Sequence, residues 1–152
     1  MANEKQLSDE LELVWSSLRK WVPRLHLQDW RLDVVLARPE SGDCMAEAEF
    51  NWQHYYAVMR LAPECLSRWR ERHPPRGILP DNRIIEELVV HELVHLTCAA
   101  ECADLETHIF GIAGHDGVLG RSFRNTWEGF NELWVDRMVR VLLEADDGTW
   151  NS

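Results

Sequence analysis

The run IIEELVVHELVHLTCAA, residues 84–100, constrains this chain more than any other stretch, because it is apolar on a helical rhythm and yet carries His91, Glu92 and His95. Ile84, Leu88, His91, His95 and Cys98 recur at steps of four, three, four and three, which predicts a helix with these residues on one core-facing stripe. Both histidines are then expected on its buried side. Residues four apart on a helix lie about one turn apart on the same face, so the two imidazoles can reach a single ion. Asp81 or Asn82, just after Pro80, is expected to cap the start of the helix.

The H-E-x-x-H spacing places a carboxylate beside two nitrogen donors. Zinc held by such donors lowers the pKa of its water to about 7, and Glu92 can take the proton as that water attacks a carbonyl carbon. The expectation is one Zn2+ per chain, with His91 and His95 as ligands and Glu92 as general base. Val89, Val90, Leu93, Val94 and Leu96 strengthen it, since a purely surface helix would carry more charge here.

A chain of 152 residues fits one domain, 1–152, long enough to bury a core, with 1–6 and 146–152 expected to fray. Eight tryptophans are read mostly as core, with one or two free to line a substrate groove. The formal charge of −10 argues against nucleic acid or an anionic membrane as partner. Arg68, Arg70, Arg72 and Arg76 crowd together against that trend, and read as a solvated helix end and loop. MANEKQLSDE lacks a basic-then-apolar leader, and no transmembrane run occurs, so a cytoplasmic protein is expected. Cys44, Cys65, Cys98 and Cys102 lack C-x-x-C spacing and read as buried free thiols, with a second metal on Cys98 and Cys102 much the weaker reading.

Along the chain, apolar residues from Leu7 to Val22 predict an amphipathic helix with its charged residues in water, closed by Pro23. Strand character follows at Trp30 to Ala37, Met45 to Trp52 and Tyr55 to Leu61, the last two as an antiparallel hairpin. Pro63 opens a short helix through Arg70, and a proline-rich loop leads to residue 80. The 84–100 helix is expected to continue to about Thr107, with 108–120 irregular and a last helix from Arg121 to Glu144.

A catalytic zinc needs a third protein ligand. Glu101 lies where zincins of the H-E-x-x-H-x-x-G-x-x-H type have their last histidine, but Cys98 replaces the glycine that turns the chain. A continuing helix would rotate Glu101 by about 240° from His95. His115, with His108 behind it, is a rival, since Spartan-like DNA-repair proteases place a third histidine in a comparable loop. Glu132 is the stronger candidate. Val135, Val139 and Leu143 are expected to pack its face, and a carboxylate there needs a cation or donors.

HELVH followed by NELWVD resembles the H-E-x-x-H plus N-E-x-x-x-D pattern of the gluzincins, the thermolysin-like zinc peptidases. The size and element order resemble the small zincin-like peptidases of phages and bacteria. The resemblance implies that Glu132 is the third zinc ligand and that Asp136 orients His91 from behind, as carboxylates around metal sites do. Here the interval from His95 to Glu132 is longer than in thermolysin, and its oxyanion-stabilising histidine or tyrosine has no clear match; Tyr55, Tyr56, His108 and His115 are the candidates. The expected fold is a single α+β domain of minimal zincin type: an N-terminal helix, a small three-stranded sheet with a hairpin, the active-site helix and a C-terminal helix. Hydrolysis of a peptide or protein substrate is the expected function, a Spartan-like protease using His115 or a non-catalytic zinc-stabilised module being the alternatives.

Overall fold

Apolar residues at helical spacing build the first element, α1 (Glu4–Arg24), whose Val14, Leu18 and Trp21 are buried. The computed structural model describes residues 4–38, 45–63, 65–66, 80–114 and 117–148. Pro23 does not close α1 as expected; it lies inside the last turn, and the helix runs to Arg24. Loss of one N–H that close to the end is tolerable, because the chain turns immediately afterwards at His26, with φ 56. Nor do all the charged residues of α1 face water: Glu10 is buried, and the Cys65 thiol donates to its Oε2 at 3.9 Å.

Three short strands follow: β1 (Arg31–Leu36), β2 (Ala46–Asn51) and β3 (Tyr56–Leu61). The hairpin forms as its sequence predicts, with β2 antiparallel to β3. A single 3-10 turn, Trp52–His54, makes the connection, and Tyr55 at φ 48 reverses the chain. β1 pairs with β3 in parallel, so the sheet is mixed, in the order β1-β3-β2. As the central strand, β3 shows the alternation of a half-buried sheet, with Ala57, Met59 and Leu61 buried.

α2 (Asp81–Thr97) packs against α1 and β2. Its Ile84, Ile85, Val89, Val90 and Leu93 are fully enclosed. A polar clamp ties α2 to α1. Glu86 accepts hydrogen bonds from Lys20 Nζ and Trp21 Nε1, both at 2.6 Å, and from Arg83 at 3.2 Å.

The chain divides into two compact units, Met1–Thr97 and Cys98–Ser152. The second is a pair of helices, α3 (Ala99–Ala113) and α4 (Val118–Asp146). Residues 108–113, expected to be irregular, are helical. Phe110 packs edge-on to Phe123 at 5.6 Å, and Trp127 donates to Glu106 at 2.9 Å, so packing between the two helices outweighs the low helix propensity of Gly111. Gly114, at φ 71, ends α3. The fold is α+β, as expected. No helix among the described residues is long and apolar enough to cross a membrane.

Most of the tryptophans are not core. Among the described residues only Trp21 is buried, Trp15 is exposed, and Trp30, Trp52, Trp127 and Trp134 are half-buried. An indole is too large for most positions in a small domain to enclose it fully.

Burial pushes the Glu86 carboxyl up, but the hydrogen bonds from Lys20 and Trp21 and the Lys20 charge outweigh it and hold the group below its ordinary 4.5. Such a carboxyl stabilises the fold above 4.5 and loses that contribution as pH falls through its lower folded value. Glu86→Gln is therefore expected to cost about 1 to 3 kcal/mol at pH 7. The loss, read by urea denaturation, should shrink in acid below that value; an equal loss at both pH values would contradict the clamp.

Candidate functional site

The motif helix starts one residue earlier than its sequence suggests. Asp81 is already helical, and the carbonyl of Pro80 accepts the N–H groups of Arg83 at 2.9 Å and Ile84 at 3.2 Å. Pro80 thus occupies the cap position, where a missing N–H costs nothing, and Asp81 places its charge in the first turn, next to the positive end of the helix.

Four residues apart on α2, His91 and His95 bring their Nε2 atoms to 3.3 Å, with ring centroids 5.0 Å apart and planes at 68°. Both are half-buried rather than on the buried side. Imidazoles that are to serve as donors need an open edge, and the apolar residues Val89, Val90, Leu93, Val94 and Leu96 enclose the rest of the helix. Glu92 is 7% exposed. The three polar residues therefore differ in exposure: His91 and His95 are half-buried and Glu92 is buried.

α2 ends at Thr97, whose Oγ1 donates to the Val94 carbonyl at 2.7 Å. The expected continuation to about Thr107 is interrupted at Cys98, which has φ −122 and ψ 17 and occupies the cap position of α3. Glu101 is exposed in the first turn of α3.

Glu132 and Asp136 lie one turn apart on α4, where Val135, Val139 and Leu143 are buried. Both carboxylates are exposed, whereas the sequence pattern predicts Glu132 to be packed. The apolar residues of that face take the interior, and the charged ones stay hydrated at its border. His91 and His95 stand on the first unit and Glu132 on the second.

The other candidates are placed differently. His108 is exposed on α3, and His115 lies outside the described residues, as does the cluster from Arg68 to Arg76. Tyr55 is exposed and meets Trp30 edge-on at 5.7 Å. The Tyr56 hydroxyl donates to Asp33 at 3.1 Å, and that bond, followed by burial, raises its pKa. An aromatic corner of Trp30, Phe50 and Tyr55 was not foreseen. Its one sequence signal is the placement of aromatics at strand ends, and pairing had to be known before they could be brought together.

No protein-family model, curated protein or solved structure matches the chain.

Leu93 lies fully enclosed between the motif histidines in sequence. Leu93→Ala should cost about 2 to 5 kcal/mol by chemical denaturation, because the packing that holds the helix in place leaves little room to collapse. A cost under about 1 kcal/mol would mean that α2 is not held by its core face.

Proposed function

We propose that the protein is a zinc-dependent metallopeptidase, and the observation that carries the reading is the 3.3 Å separation of the His91 and His95 Nε2 atoms on α2. Zinc–nitrogen bonds of 2.0–2.1 Å at a tetrahedral angle put their nitrogens about 3.3 to 3.4 Å apart. The donor chemistry fits too, since imidazole suits zinc and not the hard cations that prefer oxygen.

Zinc held there would polarise a scissile carbonyl and make water a nucleophile at neutral pH. Glu92 accepts the proton of the attacking water and passes it to the departing amine, which is the work of a general base followed by that of a general acid. His91 and His95 fix the position of the centre by standing on one rigid helix. Glu132 would serve as third donor; the N-E-x-x-x-D run supports that role. The same run would give Asp136 the role of orienting His91 from behind, as carboxylates around metal sites do. Among the described residues β2 is an edge strand packed on α2, a place where an extended substrate could add as a further strand.

Metal-replete protein purified without chelator should carry one zinc per chain by elemental analysis. Zinc content near zero, with no uptake on addition, would sink the proposal. Glu132→Ala should weaken zinc binding strongly while His115→Ala leaves it in place; the reverse pattern would move the chain to the Spartan-like reading.

Glu92→Gln separates an enzyme from a zinc-stabilised module. Zinc content and thermal melting should match wild type, while cleavage of a peptide library falls by about 100-fold or more. Equal cleavage by both proteins would remove Glu92 from the reaction.

A further inference from the structure

The thiols at the start of α3 have no part in the proposed reaction. Cys98 and Cys102 are half-buried and in no disulfide, and the Cys102 thiol donates to the Cys98 sulfur with the two Sγ atoms 3.6 Å apart. They already touch. A disulfide bond is roughly 2.05 Å, so closure needs a movement of about 1.5 Å.

Helical backbone alone would prevent it. Side chains at i and i+4 of an uninterrupted helix keep their Cβ atoms about 5 to 6 Å apart, beyond the roughly 3.5 to 4.5 Å that a disulfide spans. Cys98 is outside that constraint: it occupies the cap position, at φ −122 and ψ 17, while its carbonyl still accepts the Cys102 N–H at 2.9 Å. One end of the pair lies within the helix, and the other has non-helical backbone.

We infer that Cys98 and Cys102 form a redox-active dithiol that closes to an intramolecular disulfide on meeting a small-molecule disulfide of the glutathione class. The Cys98 thiolate attacks one sulfur of the oxidant, whose S–S bond breaks, and the first small thiol leaves with the electron pair and takes up a proton. Cys102 then loses its proton and attacks the Cys98 sulfur, forming the protein disulfide and expelling the second small thiol. In balance, two protein thiols give up two electrons and two protons, and the oxidant becomes two small thiols.

Cys98, at the cap position, is the attacking thiol and Cys102, inside the helix, the resolving one. Burial, and then the S–H bond to Cys98, push the Cys102 thiol up to about 12, so it keeps its proton while Cys98 attacks. Cys65 contrasts with this pair: it is 1% exposed, burial likewise pushes it up to about 12, and the core closes it to a reagent. A bridge that helix geometry resists belongs with the readily reduced disulfides, which suits a reversible change. The inference does not rest on the peptidase reading.

Full-length protein equilibrated with excess oxidised glutathione, alkylated and digested with trypsin provides the test. Residues 84–121 emerge as one peptide with no internal Lys or Arg, containing both cysteines and no others. The expected peptide is lighter by two hydrogens and takes no alkyl group until reduced glutathione is restored. Cys102→Ser, which lacks the resolving thiol, should stop at a glutathione adduct on Cys98. Alkylation of both cysteines after oxidation, two separate glutathione adducts, or a bridge from Cys98 to another cysteine would each overturn the assignment.

Discussion

A helix that must be core on most of its surface has little room for polar chemistry, and α2 lives under that constraint. Eight of its seventeen residues are buried, Glu92 among them. What remains to carry donors is an edge, and His91 and His95 occupy it one turn apart. The rigidity that an enclosed helix supplies is what a donor pair needs, since a separation of 3.3 Å between nitrogens is useful only if it is held. The clamp at Glu86 belongs to the same economy of space: a carboxylate with 13% of its side chain exposed is stable there because three donors from two helices converge on it.

Much of the first unit was legible in the sequence because its signals are periodic. The steps from Val14 to Trp21, the alternation at Tyr56 to Leu61 and the motif helix each read directly as an element. Where reading failed, a local signal met a tertiary one. Gly111 and its neighbours look irregular until Phe110 is known to face Phe123, and Pro23 looks terminal until the turn at His26 shows how little helix was left to break. The parallel pairing of β1 with β3 had no signal at all. Strand residues state which face they bury and are silent about which neighbour they join.

The motif residues were legible as a set, but their environment was not. Periodicity put both histidines and Glu132 inside; the structure leaves the histidines half-buried and the glutamate exposed. The error has one cause. Membership of an apolar stripe says that a backbone position faces inward, but a long or polar side chain at the border of that stripe turns its end toward water. Cys98 departs from its sequence expectation for a different reason: a non-glycine residue can end a helix without entering the left-handed region, as Cys98 does at φ −122.

These environments bear on what a metal would do for the chain. In a metal-dependent small domain the ion replaces a core that is too small, and binding energy is folding energy. Here Val14, Leu18, Trp21, Leu61, Ile84, Ile85, Val89 and Leu93 already form an enclosed interior without any contribution from donor side chains. Burial of about 1.5 to 3 kcal/mol per large apolar side chain makes that interior the dominant stabilising contribution. Glu132 is exposed, so no ion is needed to neutralise a buried charge there. A half-buried histidine pair, on a unit that stands by its core, is better suited to holding an exchangeable ion than to holding the chain together. On the peptidase proposal, chelation should accordingly remove activity well before it lowers the melting temperature, whereas a zinc-stabilised module would lose its fold with its metal.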